Sequence, residues 1–202
     1  MLPLLTLLVI AFAFYIFYLI LQSAFEEVGF NGWEASIIVF SCIIFGWVNI
    51  PLFGYNKWTV AINVGGALIP VAISIYLMFS RKVVLRSMVG MAVVAYFAYN
   101  VTSVTPDGVV SSFPYWLIPP VVASLYSIVV SVNSKKKAAS IAYAAGTMGV
   151  LMGADLLHLR ELLSMKIPSS TMASIGGATI LDMIFLTGVI AVIIDAILYG
   201  KD

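Results

Sequence analysis

The sequence predicts an all-α fold, a polytopic bundle of about seven transmembrane helices that occupies residues 1–202 as a single integral membrane domain. Three observations carry this. Of the 202 residues, 62% are hydrophobic and 9% charged, whereas a soluble domain carries roughly 25% charged residues. Mean hydropathy is +1.11. The apolar residues also fall into runs close to the roughly 20 residues that a helix needs to cross a bilayer, and short segments between them hold most of the charge.

The first run, 2–21, has no basic leader, and Gln22-Ser23-Ala24 is a poor cleavage signal, so it reads as a span and not as a signal peptide. Further runs follow at 34–50, 60–80, 83–100, 113–132, 138–159 and 172–199. The connections carry Glu26-Glu27, then Lys57, then Arg81, Lys82 and Arg86, then Asp107, then Lys135-Lys136-Lys137, then Arg160, Glu161 and Lys166. Connections one, three and five, with Lys201 in the tail, hold seven of the ten basic residues. The positive-inside rule makes that side cytoplasmic, which predicts a multi-pass protein of the cell membrane with its N-terminus outside and its C-terminus inside.

In that orientation Asn49, Asn63, Asn100, Thr102, Thr105, Asp107, Asp155, His158 and Ser174 all fall toward the outer ends of their helices. Helix breakers cluster on the same side: Asn49-Ile50-Pro51, Gly65-Gly66 with Pro70, Pro114 and Pro119-Pro120. Irregular backbone at membrane depth is tolerated where it lines a wet cavity or is buried in protein, so a site in the outer half is expected. Thr105-Pro106-Asp107-Gly108 has the composition of a tight turn.

Ile62-Asn63-Val64-Gly65-Gly66-Ala67 opens the third run, and Ala173-Ser174-Ile175-Gly176-Gly177-Ala178 recurs in the seventh. The runs before them share Gly46-Trp47-Val48-Asn49 and Gly153-Ala154-Asp155-Leu156. This echo suggests a 3+1+3 parallel internal repeat; chance similarity between Gly-rich apolar segments is the competing explanation.

Asp155 and Asp182 stand inside apolar runs, where a carboxylate costs several kcal/mol unless it is paired, protonated or in water, and so marks a functional site. Two carboxylates near each other share a proton, one acting as general base for a water and the other as general acid. Asp155 and Asp182 are the candidate catalytic pair; Asp107, His158, Asn49, Asn63, Gly176 and Gly177 are candidate substrate-binding residues. At about 100° per residue, Gly146, Gly149 and Gly153 form one face and Asp155 sits nearly opposite. If the glycine face packs on the seventh helix, Asp155 points away from Asp182; a dyad requires those glycines to pack elsewhere. One histidine with one aspartate supplies too few ligands for a structural zinc site, and the single Cys42 excludes an intrachain disulfide. No metal and no cofactor is expected.

Met152-Gly153-Ala154-Asp155-Leu156-Leu157, with Ile175-Gly176-Gly177-Ala178 through Asp182 to Ile184-Phe185-Leu186-Thr187-Gly188, resembles the signature of an uncharacterised prokaryotic integral-membrane family, a domain of unknown function. That resemblance implies a common fold over most of the chain and brings no activity. A weaker likeness is to the GxGD-type intramembrane aspartyl proteases (presenilin, signal peptide peptidase and the prepilin peptidases). Their motif aligns with Met152-Gly153-Ala154-Asp155, where neither motif glycine is matched, and no Pro-Ala-Leu element follows Asp182.

Three functions remain open at this point: an intramembrane aspartyl protease-like hydrolase acting on a transmembrane peptide, a proton- or cation-coupled transporter of a small solute, and a non-catalytic structural or assembly subunit. Membrane lipids are the expected surroundings. Nucleic acid is not an expected partner, since there is no basic tract with interleaved aromatics.

Overall fold

A computed structural model describes residues 2–132, 134 and 137–199. The chain is mostly helical. Helix α1 (Leu2–Val28) is followed by α2 (Gly32–Ile44), which tightens into a 3₁₀ turn at Phe45–Trp47. Strands β1 (Asn49–Tyr55) and β2 (Trp58–Asn63) come next, then a π turn at Val64–Leu68 that feeds α3 (Ile69–Ser80). Helix α4 (Val84–Val101), the small strands β3 (Ser103–Thr105) and β4 (Gly108–Val110), and α5 (Ile118–Val130) follow. Helix α6 (Ala138–Val150) runs into a second π turn, Leu151–Leu156, before the short α7 (Leu159–Ser164), strand β5 (Thr171–Ile175), a 3₁₀ turn at Thr179–Leu181 and α8 (Met183–Tyr199).

Among the described residues there are seven apolar helical segments. Three are long and apolar enough to cross a membrane: Pro3–Val28, Val84–Val101 and Ala138–Ser164. The other four, Gly32–Trp47, Val64–Ser80, Tyr115–Val130 and Met183–Tyr199, are shorter. Three predicted helices therefore need correction. Residues 49–50 of the run 34–50, 60–63 of the run 60–80, and 172–175 of the run 172–199 are strands. Pro51 explains the first: it has no N–H for a helix, it pushes Ile50 to extended backbone, and it is tolerated in β1 because β1 is an edge strand. Trp58-Thr59-Val60, rich in aromatic and β-branched residues, continues the hairpin across a two-residue loop in which Asn56 takes φ 53°. The N-terminus of α2 carries a capping box: the Asn31 side chain accepts from the backbone of Trp33 and Glu34, and the Glu34 carboxylate accepts from the Asn31 N–H.

Strands β1, β2 and β5 form one sheet in that order, β1 antiparallel to β2 and β2 parallel to β5. The two echoed segments are thus partners in space. Their pairing matches Ile62 with Ile175, two residues out of step with the sequence echo, which matches Asn63 with Ser174. Beyond the strands they diverge, Gly65-Gly66 opening the π turn into α3 and Gly176-Gly177 forming a turn before Thr179–Leu181.

Helix α6 is the centre of the bundle. Twelve of its thirteen residues are buried, and a helix apolar on all faces belongs in a core. Its alanines and glycines let neighbours approach closely: Gly149 faces Met91 and Val94, and Gly153 faces Ala95, so α4 and α6 run side by side in the same direction. Gly146 instead meets Thr187 of α8 and Ala123 of α5. A side chain at Gly153 would collide with the Ala95 carbonyl. Gly153→Leu should therefore lower the unfolding free energy by about 1–3 kcal/mol through overpacking, while Gly54→Ala, whose Cβ would meet only the Trp58 carbonyl at 3.8 Å, should stay within about 0.5 kcal/mol. Thermal or denaturant unfolding of both variants in detergent checks this.

Candidate functional site

Asp182 immediately precedes α8 and does the work of a cap. Its Oδ1 accepts from the Ile184 N–H at 2.9 Å, and its Oδ2 accepts from the Ala178 N–H at 3.3 Å. The carboxylate is held by the turn on one side and by the helix on the other.

Asp155 lies in the π turn that ends α6. A π turn takes in an extra residue, so positions beyond Leu151 are rotated from where a regular helix would put them. Gly149 and Gly153 also pack on α4 and not on α8, which satisfies the condition for Asp155 to turn toward Asp182. Among the described residues none donates a hydrogen bond to the Asp155 carboxylate.

The two aspartates line the same space. Two adjoining cavities, of about 370 and 320 Å³, share Val109, Asp155, Ala178 and Asp182. The larger cavity is completed by Thr102, Ser111, Trp116 and Leu181, among others. The smaller is completed by Asp107 and Gly108 on one wall and by Met172–Ile175 and Gly177 on another. The cavities sit at the end of α4 and α6 remote from Arg86 and Lys137, which mark the other end of those helices.

Asn63 holds the platform beneath this site. It is fully buried; its Nδ2 donates to the Gly46 carbonyl at 2.7 Å and to Asn49 Oδ1 at 3.0 Å, and its Oδ1 accepts from the Gly66 N–H at 2.8 Å. Ser174 of β5 donates its hydroxyl to the same Asn49 oxygen. Gly176, at φ +74°, packs directly on Ala67 and Gly66, so a side chain there would meet both conformational strain and backbone.

The sequence candidates therefore separate into groups. Asp107, Asp155, Gly177 and Asp182 border one cavity. Asn49, Asn63 and Gly176 support its floor without lining it. His158 lies elsewhere: its ring stacks on Tyr99 at 4.4 Å, its Nε2 is 3.2 Å from the Tyr99 carbonyl and its Nδ1 3.2 Å from Glu161. It anchors the end of α4 to the start of α7. Thr105 to Gly108 forms the expected tight turn as the tip of the β3–β4 hairpin, with Thr105 opposite Gly108. Trp116, Ser111 and the strand β5 were not singled out in the sequence; the β-branched and polar alternation of Ser170-Thr171-Met172-Ala173-Ser174 was the available signal. Among the described residues no group of three or more His, Cys, Asp or Glu converges to hold a metal ion. Lys135, Lys136 and Lys201 of the charge pattern lie outside the described residues.

Searches of curated proteins and of solved structures return no significant match. Residues 36–194 match a protein family, described as Protein of unknown function (DUF1614), and the chain belongs to that family.

The double hydrogen bonding of Asp182 separates its structural from its chemical role. Asp182→Ala removes both bonds and the helix cap and should cost about 0.5–2 kcal/mol, whereas Asp182→Asn keeps the acceptor for Ile184, loses only the longer bond from Ala178, and should cost less, about 0.5–1 kcal/mol. Thermal unfolding of the two variants in the same detergent gives the comparison.

Proposed function

We propose that this member of the DUF1614 family is an intramembrane aspartyl hydrolase that cleaves peptide bonds of membrane-embedded polypeptides, with Asp155 and Asp182 as its catalytic pair. One observation carries this reading: two carboxylates from different helical segments border one cavity, and an unpaired strand edge borders it with them. In the parallel pairing, Thr171, Ala173 and Ile175 turn their backbone groups toward β2. The N–H and C=O of Met172 and the N–H of Ser174 point outward instead, along the wall of the smaller cavity. An extended peptide can add there as a further strand, which orders its backbone beside the aspartates. Helical peptide bonds resist attack because their carbonyls are engaged and their backbone is packed; an extended segment exposes them.

Asp182, held by two N–H donors, is the carboxylate that accepts a proton from water. The water oxygen bonds to the carbonyl carbon, and the tetrahedral intermediate collapses with rupture of the C–N bond. Asp155, to which none of the described residues donates, carries the shared proton and delivers it to the departing nitrogen. The products are a carboxylic acid and an amine, and the proton removed from water restores the shared one. Thr102 and Ser111 border the same space as hydroxyl groups able to orient the water.

The site opens to the outer side in this reading. Arg81 donates to the Val28 and Gly29 carbonyls, so the first and third connections meet at one end of the bundle, with Arg86 and Lys137 close to that end and the acidic cavities at the other. This supports the arrangement with N-terminus outside.

Asp155→Asn and Asp182→Asn should each reduce cleavage of a membrane-embedded peptide by roughly 100-fold or more while the protein remains folded. Reconstituted enzyme and mass spectrometry of the peptide products provide the measurement; cleavage that survives either change removes the dyad. A transporter would instead show pH-dependent solute uptake into vesicles, lost on the same substitutions, with intact peptide.

A further inference from the structure

From Leu7 to Leu21 helix α1 carries no charged residue on any face, yet only its last part is packed. Leu21, Ala24, Phe25 and Val28 are buried, while Leu4, Phe12 and Phe14 are exposed beyond 60%. Between its exposed part and the bundle lie two adjoining cavities of about 500 and 440 Å³. On α1 they are bordered by Ile10, Ala13, Phe14, Tyr15, Phe17, Tyr18 and Leu21. All but Tyr15 follow alternating steps of three and one, a helix face maintained for three turns, about 16 Å, with Tyr15 beside it. The opposing walls are Phe40 and Ile43 of α2 and the turn Thr179–Leu181. None of the residues lining this groove is charged.

The groove adjoins the acidic site. Leu181 lines both the groove and the larger acidic cavity, and Asp182 is the next residue. The partition between them is therefore one turn of chain. Its backbone bonds are local: Thr179 donates to Gly176, Leu181 to Ala178 and Asp182 to Thr179. Thr179 also adopts φ +60°, a conformation unfavourable for a β-branched residue. Such a segment can shift without breaking a sheet or a long helix.

We infer that this groove seats a single membrane-spanning helix of the polypeptide substrate, which passes the Thr179–Leu181 partition to reach Asp155 and Asp182. The inference rests on the hydrolase reading. A helix is favoured over an acyl chain because the α1 face presents large aromatic side chains around the small Ala13 at helical spacing, the relief into which the ridges of another helix fit. A second copy of this chain would fill the groove permanently and close the route to Leu181.

The test uses the full chain in lipid vesicles with a synthetic Lys-flanked Leu-Ala helix of about 20 residues. A photoreactive benzoylphenylalanine replaces Phe17 in the groove or, as a control, the exposed Tyr96 on α4, in an Asp155→Asn background so that cleavage does not consume the probe. The groove position should cross-link the peptide about tenfold more than the control, and Ala13→Trp, which fills the groove from an exposed position, should remove that excess. Unchanged thermal unfolding of the Ala13→Trp variant shows that the loss is local. Cross-links confined to lipid or to a second copy, or insensitive to Ala13→Trp, overturn the inference. Cleavage by the enzyme with native Asp155 but no groove cross-link refutes the groove and leaves the hydrolase; groove cross-linking without any cleavage does the reverse.

Discussion

The close approach of α4 and α6 through Gly149 and Gly153 is the contact on which the rest depends. It sets two helices side by side in the same direction and brings the Tyr99 and Thr102 end of α4 level with the π turn of α6. Gly149 and Gly153 are spent on α4, which leaves Asp155, within the π turn, to border the cavity that Asp182 also borders. A larger residue at either glycine would separate the helices and remove one wall of the acidic cavity together with the seat of His158.

A second constraint is the disposal of polar backbone. A sheet inside a largely apolar bundle leaves strand edges that need partners. Here β1 is an exposed edge blunted by Pro51, while β5, the other edge, faces the cavity that holds the carboxylates. Asn63 satisfies the turn that follows β2 and, through Asn49, reaches Ser174 on β5. Asn49, Asn63 and Ser174, far apart along the chain, are thus one hydrogen-bonded support.

The helical character and the number of apolar segments were legible in the sequence, because hydropathy leaves clear marks, and Asp155 and Asp182 drew attention because of the cost of buried charge. The strands were not, because each is embedded in an apolar run: Asn63 and Ser174 read as helix-end polar residues when only hydropathy is counted. Pro51, which reads as a helix breaker, and the Tyr55-Asn56-Lys57-Trp58 turn were the signals of a hairpin. The direction of Asp155 was out of reach for a different reason. A wheel assumes constant rotation, and nothing in Leu151–Leu156 announces a π turn. His158 follows the same pattern, since its partner Tyr99 is 59 residues away in sequence.

Hydrolysis by this pair requires that Asp155 and Asp182 share one water-accessible cavity. Cysteines at these two positions, in a chain whose own Cys42 is buried, provide the direct measurement. Each single variant should react with a membrane-impermeant thiol reagent, and the Asp155→Cys/Asp182→Cys double variant should be joined by a short bifunctional thiol cross-linker. Cysteines that react singly but are never joined would place the carboxylates in separate pockets and contradict the account.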